Sequence, residues 1–201
     1  MKEIIFPGDE IKENTKTGFG TYKKNGKAYS KYLGILYKDD GVKVIPISGK
    51  YVPKESDIIV GVVQNEDNYV YLLDINSHKQ GVFFKRNQTA KLYDIYLLRV
   101  RTVNEVKDID IEIISKLTGG ELVKLNPRKV ARLIGKNKSM QTLIETKTDS
   151  RLVIGLNGLV YVIGENMEKV KEIISFIEEY SHEDNLTNKV SDVLDKMNVK
   201  K

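Results

Sequence analysis

Val130-Ala131-Arg132-Leu133-Ile134-Gly135-Lys136-Asn137-Lys138-Ser139-Met140 is the stretch on which the reading of this chain turns. A short apolar run enters a tight turn at Gly135, and the turn carries two lysines and an asparagine. Beyond it Met140, Leu143 and Ile144 recur at helical spacing, and Ser139 stands where a helix N-cap is expected. The spacing predicts a helix, a basic turn and a second helix whose N-terminus faces the turn. Such a terminus presents unpaired N–H groups and a partial positive charge, which suits a phosphate. Lys136 and Lys138 add full charges there.

Working outward, Leu122 to Leu125 alternate as a short strand ahead of Pro127. Leu152 to Ile154 and Leu159 to Ile163 read as two strands. Between them lies Asn157-Gly158, the strongest short hairpin signal, which predicts a type I′ turn serving geometry alone. From Asn166 the apolar positions Met167, Val170, Ile173, Ile174, Ile177 and Tyr180 mark a long amphipathic helix. The order βααββα, with a glycine-lysine turn between its first two helices, resembles a type I KH domain. In that module a G-x-x-G loop clamps the backbone of a single-stranded nucleic acid. Here Lys138 stands at the second glycine. It takes positive φ less cheaply than glycine, so the loop is expected to be drawn away from the usual clamp, with the ammonium supplying a longer-range contact. The blander reading, a helix pair that only packs, competes with this one.

Charge decides between them. The chain has 201 residues and a net charge of +5. Between Thr118 and Thr148 seven Lys or Arg face two Glu, so this stretch carries the whole excess, and no acid lies between Val123 and Met140. A clustered excess on one element is the footprint of a nucleic-acid site. Arg132 and Lys129 join Gly135, Lys136 and Lys138 as candidate contacts. Glu165 to Asp195, by contrast, holds nine acids and three lysines, which makes the C-terminal helices a packing or partner surface.

The 40% hydrophobic content suffices for compact cores. With no cysteine there is no disulfide framework and no thiolate metal site, and a cytoplasmic protein is expected. Met1-Lys2-Glu3-Ile4-Ile5 does not read as a signal peptide, and no apolar run is long enough to span a membrane. Residues 1–53 read as a β-rich domain of short strands punctuated by Pro7-Gly8-Asp9, Gly18-Phe19-Gly20 and Asn25-Gly26. No helix pattern follows the G-x-G, so it is read as turn geometry, not as a dinucleotide site. In residues 54–116 strands are expected at Ile58–Gln64, Val70–Ile75, Gln80–Phe84, Ile95–Val103 and Ile109–Ile113, which suits an OB-type barrel. Such barrels bind single strands by stacking on aromatics above a basic groove. Lys85, Arg86, Arg99 and Arg101 are its candidate contacts. At most one of Phe83, Phe84, Tyr93 and Tyr96 is expected as a stacking platform. Residues 117–201 complete the KH domain, with an extra helix from Leu186. The fold class is therefore α+β multidomain: an all-β domain, a five-stranded S1-type barrel and a KH domain.

The combination, and the residues at its junctions, resemble the S1/KH cap subunits of the archaeal exosome, the ribosomal-RNA-processing component four family. The matching stretches are Pro7-Gly8-Asp9 with Gly18-Phe19-Gly20-Thr21-Tyr22, Tyr29-Ser30, Val44 to Pro53, and Val60-Gly61-Val62-Val63. Further on come Asp74-Ile75-Asn76-Ser77, Ile134-Gly135-Lys136 with Ser139-Met140, and Gly155-Leu156-Asn157-Gly158. The departures are Phe19 for a histidine, Ser56 for a glycine, Lys138, and a short connection between Phe84 and Ile95. The resemblance implies a non-catalytic subunit that binds single-stranded RNA and directs its 3′ end into the pore of a hexameric exonuclease ring. It further implies three copies in the cap, with the first domain docking on the ring, and no cofactor or metal.

Two other functions compete. Asp108, Asp110 and Glu112 alternate along one strand and share a face, where paired carboxylates could hold magnesium for phosphodiester cleavage. Charge that protects a strand edge accounts for them as well. His78 and His182 have no partner at metal-ligand spacing. A free-standing single-strand RNA binder differs from the cap subunit only in lacking a ring-docking surface.

Overall fold

The computed structural model describes residues 3–11, 16–39, 41–46, 49–85, 89–104, 109–183 and 185–199, in two units, Met1–Gly49 and Lys50–Lys201. The first unit is built from β1 (Glu3–Ile5), β2 (Glu10–Ile11), β3 (Thr21–Lys24), β4 (Lys27–Ser30), β5 (Gly34–Asp39) and β6 (Gly41–Pro46). They form two three-stranded sheets, β1-β5-β6 and β2-β4-β3. Alternation puts Ile5, Leu36, Val42 and Val44 inside, with Ile11 and Ala28. Asn25 and Gly26 have φ +51° and +77° and join β3 to β4 with Lys24 opposite Lys27. This two-residue loop, with positive φ at both central positions, has the signature of a type I′ turn. The opposite face of the first sheet is apolar too. Ile4, Ile35 and Ile45 lie side by side across β1, β5 and β6, with Ile4 60% and Ile45 47% exposed.

In the second unit β7 (Ile58–Glu66), β8 (Val70–Asp74), β9 (Gly81–Phe84), β10 (Ile95–Val103) and β11 (Ile109–Leu117) close into a barrel in the order β10-β11-β9-β8-β7. All its pairs are antiparallel except β9 with β11. Ile59, Leu73, Ile75, Leu98, Ile109 and Ile111 fill it. Hydrogen bonds hold two residues at the entry to the barrel. Buried Tyr51 donates its hydroxyl to Asp57 Oδ2 at 2.6 Å, and burial, then the carboxylate, holds that hydroxyl protonated. Ser56 takes φ +69° and donates its N–H to the Val100 carbonyl at 2.8 Å. The short connection after β9 is anchored by Asp94, which accepts from Lys116 Nζ at 2.7 Å, the Lys91 N–H at 2.9 Å and the Tyr96 hydroxyl at 3.3 Å. Those donors, Lys116 first, keep its carboxyl below the usual range. Burial, then Asp94, pushes Tyr96 up to about 12, so Tyr96 stays a donor at neutral pH.

The KH portion runs β12 (Gly120–Lys124), a 3-10 turn at Pro127–Lys129, α1 (Val130–Ile134), a second 3-10 turn at Lys136–Lys138, and α2 (Ser139–Thr148). β13 (Ser150–Ile154), β14 (Leu159–Gly164), α3 (Met167–Tyr180) and α4 (Leu186–Val199) follow. The antiparallel sheet is ordered β12-β14-β13, so β13 is an edge. Leu125, Val130, Leu133, Met140, Ile144 and the α3 residues Val170, Ile173, Ile174 and Ile177 form the core. α4 belongs to it: Leu186, Val190 and Leu194 are buried there, and Lys147 reaches across to Ser191 Oγ at 2.8 Å and Asp195 at 2.6 Å.

The hairpin between β13 and β14 departs from the type I′ expectation. Neither Leu156 nor Asn157 has positive φ, whereas Gly158 has φ +79°. The Gly158 N–H donates to the Gly155 carbonyl at 3.0 Å. This is a three-residue loop ending in a left-handed glycine. Nor does it serve geometry alone. Asn157 is fully buried, and its side chain enters the barrel. Its Nδ2 donates to the carbonyls of Val60 (2.6 Å) and Ile75 (2.9 Å), and its Oδ1 accepts the Val60 N–H at 3.2 Å. Asn76 Nδ2 donates to the Asn157 carbonyl at 2.7 Å, and the Leu156 N–H donates to the Ile58 carbonyl. β8 pairs with β7 only as far down as Val62, so the asparagine amide takes the place of a peptide group that β8 does not supply. Two glycines make room. A Cβ on Gly155 would lie 2.3 Å from Asn157 Oδ1 and 2.6 Å from the Val60 nitrogen, and one on Gly158 would lie 2.2 Å from the Leu125 carbonyl.

Candidate nucleic-acid interface

The basic turn is held open from below. Gly135 has φ +73° and ψ 173°, a region essentially restricted to glycine. A Cβ there would come within 2.7 Å of the Met140 nitrogen and 2.8 Å of its Cβ. Asn137 and Lys138 follow at φ +52° and +63°. Lys138 therefore adopts the left-handed conformation itself, a region that glycine enters more cheaply. Lys138, not Ser139, is the cap residue of α2, and no side chain caps that end. Ser139 is the first helical residue. The Ser139 N–H donates to the Lys136 carbonyl, and Lys136 and Lys138 are both exposed on the loop that leads into α2.

The seven basic residues of this region divide. Lys124, Arg128, Arg132, Lys136 and Lys138 are exposed. Lys129 is half-buried and donates its Nζ to the Glu178 carbonyl in the last turn of α3, satisfying a helix-end acceptor; it serves the fold. Lys147 holds α4, as described above. Beside the loop opens a groove of about 650 Å³, lined by Ile134, Lys138, Gln141 and Glu145 on the helical side and by Arg151 to Ile154 on edge strand β13. The barrel residues Ile58 and Leu97 close its end.

On the barrel, Lys85 lies 3.2 Å from Glu66 and 4.7 Å over the Tyr71 ring. Arg99 faces Glu112 across the β10–β11 ladder at 3.8 Å. Arg101 falls at a register shift between Val100 and Thr102 and is exposed, as a bulge residue re-aimed out of the ladder. Arg86 lies outside the described residues. Of the four candidate aromatics, Tyr96 is buried. Phe83 packs against the core and stacks on Tyr71 at 6.2 Å. Phe84 and Tyr93 are 48% and 78% exposed. Sequence reasoning passed over Tyr69, which is 79% exposed. Its carbonyl accepts the Lys85 N–H, which sets it beside Phe84. Its place at the tip of the β7–β8 connection was the available signal. As for the carboxylates, Asp108 lies outside the described residues, Glu112 faces Arg99, and no group of three His, Cys, Asp or Glu is placed to hold a metal among the described residues.

A family model described as the exosome RNA binding protein RRP4 N-terminal domain matches residues 2–48. The chain is 36% identical over 211 residues to the exosome complex component Rrp4 of Methanobrevibacter smithii, spanning 96% of this chain and 71% of that one. With the component of the same name from Methanothermobacter thermautotrophicus it shares 33% over 214 residues, 98% and 69% of the two chains. With that of Nitrosopumilus maritimus it shares 33% over 219 residues, 97% and 96% of the two. A crystal structure assigned to an exosome complex RNA-binding protein superimposes with a TM-score of 0.69 at 20% identity, covering 76% of this chain and all of that one; at that identity it speaks for the fold.

Proposed function

The chain belongs to the family of exosome complex component Rrp4, and from that premise we propose that it is an exosome RNA-binding subunit that performs no cleavage itself. It binds single-stranded RNA and passes the 3′ end toward the pore of a hexameric ring of exonuclease subunits, with three copies around that pore. The observation that carries the RNA contact is the left-handed turn at Gly135 to Lys138. It combines two exposed ammonium groups with an α2 N-terminus that no side chain caps, beside a groove. Exposed Tyr69, Phe84 and Tyr93 on the barrel offer stacking surfaces, which tolerate any base.

Salt tests this reading. Each phosphate contact contributes roughly −0.7 to the slope of log affinity against log salt for a single strand. A few contacts should give a slope of about −2 to −4. Lys136→Ala with Lys138→Ala should flatten that slope by about 1.4 and weaken binding roughly tenfold, at about 0.7 kcal/mol for each exposed charge contact. The melting temperature should stay within a degree or so, because both side chains are exposed. Wild-type affinity and slope in the double variant would remove the loop from the interface.

The docking part of the proposal is supported by the Ile4–Ile35–Ile45 row, an apolar sheet face turned outward in the unit that the RRP4 N-terminal model matches. Contiguous exposed apolar surface of this kind marks interaction sites. Ile4→Glu with Ile45→Glu should leave the monomer folded and abolish association with the ring, read as mass by light scattering. Undiminished association would place docking elsewhere.

A further inference from the structure

The KH groove contains a contact that bears on which RNA it accepts, and the inference rests on the RNA-binding reading above. β13 is the exposed edge of its sheet. Its Leu152 buries its side chain in the core and turns its N–H and C=O away from β14, into the groove. Both are already taken. Glu145 Oε1 accepts the Leu152 N–H at 2.8 Å, and Gln141 Nε2 donates to the Leu152 carbonyl at 3.1 Å. Gln141 Nε2 also donates to Glu145 Oε1 at 3.2 Å, which ties the two side chains into one acceptor–donor unit. Their i, i+4 spacing on α2 puts both on the same face.

An acceptor beside a donor, facing the N–H and C=O of an edge strand, is what a nucleobase edge offers. Single-stranded bases are read on just such edges. We propose that Gln141 and Glu145 are specificity-determining residues. By occupying the Leu152 backbone they withhold the groove's base-reading edge, so that RNA is held by its phosphates and stacked bases without regard to sequence. Glu145 also sets a carboxylate in the groove, which disfavours phosphate there and confines the strand's backbone to the lysine loop. If the pair were absent, a strand pinned at Lys136 and Lys138 would enter with its bases in one orientation. Only bases with donor and acceptor in the matching order would then pair with Leu152.

The test uses the full chain and two readouts. In the first, the Leu152 amide is followed by NMR while AMP, CMP or UMP is added at millimolar concentration. Wild type should show no change at Leu152. Gln141→Ala with Glu145→Ala should show a shift that differs among the three nucleotides. In the second, short A, C and U oligonucleotides, bound by wild type within about twofold of one another, should spread by about tenfold in the double variant, the scale of one bidentate base contact. Glu145→Gln keeps an acceptor toward Leu152 and should keep the flat profile. The variant leaves two backbone groups facing water in an open groove, so α2 and the sheet stay folded. A Leu152 amide unmoved by every nucleotide in the double variant would overturn the proposal, as would a wild type that already discriminates tenfold. The nucleotide readout does not depend on oligonucleotide binding. Failure of the RNA-binding reading would instead appear as wild type binding none of the three oligonucleotides.

Discussion

Replacing Asn157 by Ala should destabilise the Lys50–Lys201 unit by about 3 kcal/mol or more. Three backbone groups of the barrel lose their partner at once: the N–H and C=O of Val60 and the C=O of Ile75. Each buried group left without a partner costs about 1–3 kcal/mol, and Asn157 itself is fully buried, so water cannot readily take its place. Asn157→Asp should be no better, because it turns a carboxylate oxygen toward two carbonyl oxygens. Denaturant unfolding should therefore show either a large fall in midpoint or two transitions, one for the barrel and one for the KH portion. A single transition within about 1 kcal/mol of wild type would mean that the joint does not couple them.

The second large effect is expected at Gly135. Alanine there must occupy φ +73°, ψ 173°, which costs about 1–3 kcal/mol, and its Cβ meets the backbone nitrogen and Cβ of Met140 at 2.7 and 2.8 Å. Met140 is in the core and in the first turn of α2, so the clash has no cheap escape. Gly135→Ala should cost about 3 kcal/mol in total and should also displace Lys136 and Lys138, lowering RNA affinity in whatever fraction stays folded. Lys138→Gly should move the other way. It relieves a left-handed non-glycine residue while removing one charge, so stability and affinity should separate: a slightly higher melting temperature with weaker RNA binding. A Gly135→Ala protein that melts like wild type would show that the turn tolerates a Cβ.

Much of this architecture could be read in advance because periodicity reports burial. Val170, Ile173, Ile174 and Ile177 mark α3 by their spacing and are all buried against the sheet. The β-branched runs at Ile58 and Ile95 became barrel strands for the same reason. What escaped was set by distant partners. Asn157-Gly158 carries a local signal so strong that it hid the contact deciding its role, with Val60, 97 positions away. The type I′ geometry expected there occurs instead at Asn25-Gly26. Lys129 and Lys147 looked equivalent to Lys136 and Lys138 by charge. Only the fold shows that the first pair reaches a helix end and a neighbouring helix. The Gln141–Glu145 contact with Leu152 left no trace in composition, since polar residues at i and i+4 on a helix usually face water.

The asparagine joint also bears on how the chain matures. A ribosome delivers Val60 long before Asn157, and until residues 155–158 emerge the barrel's β7 margin stays open at the point where β8 falls short. Unpaired strand margins are where nascent chains mispair, so the barrel spends its synthesis unfinished, its last seam closing only when the following module has been made. Contacts so far apart in sequence slow the search for the native state. A chain terminated before the hairpin should therefore leave the Val60 and Ile75 backbone groups without the partner that Asn157 supplies.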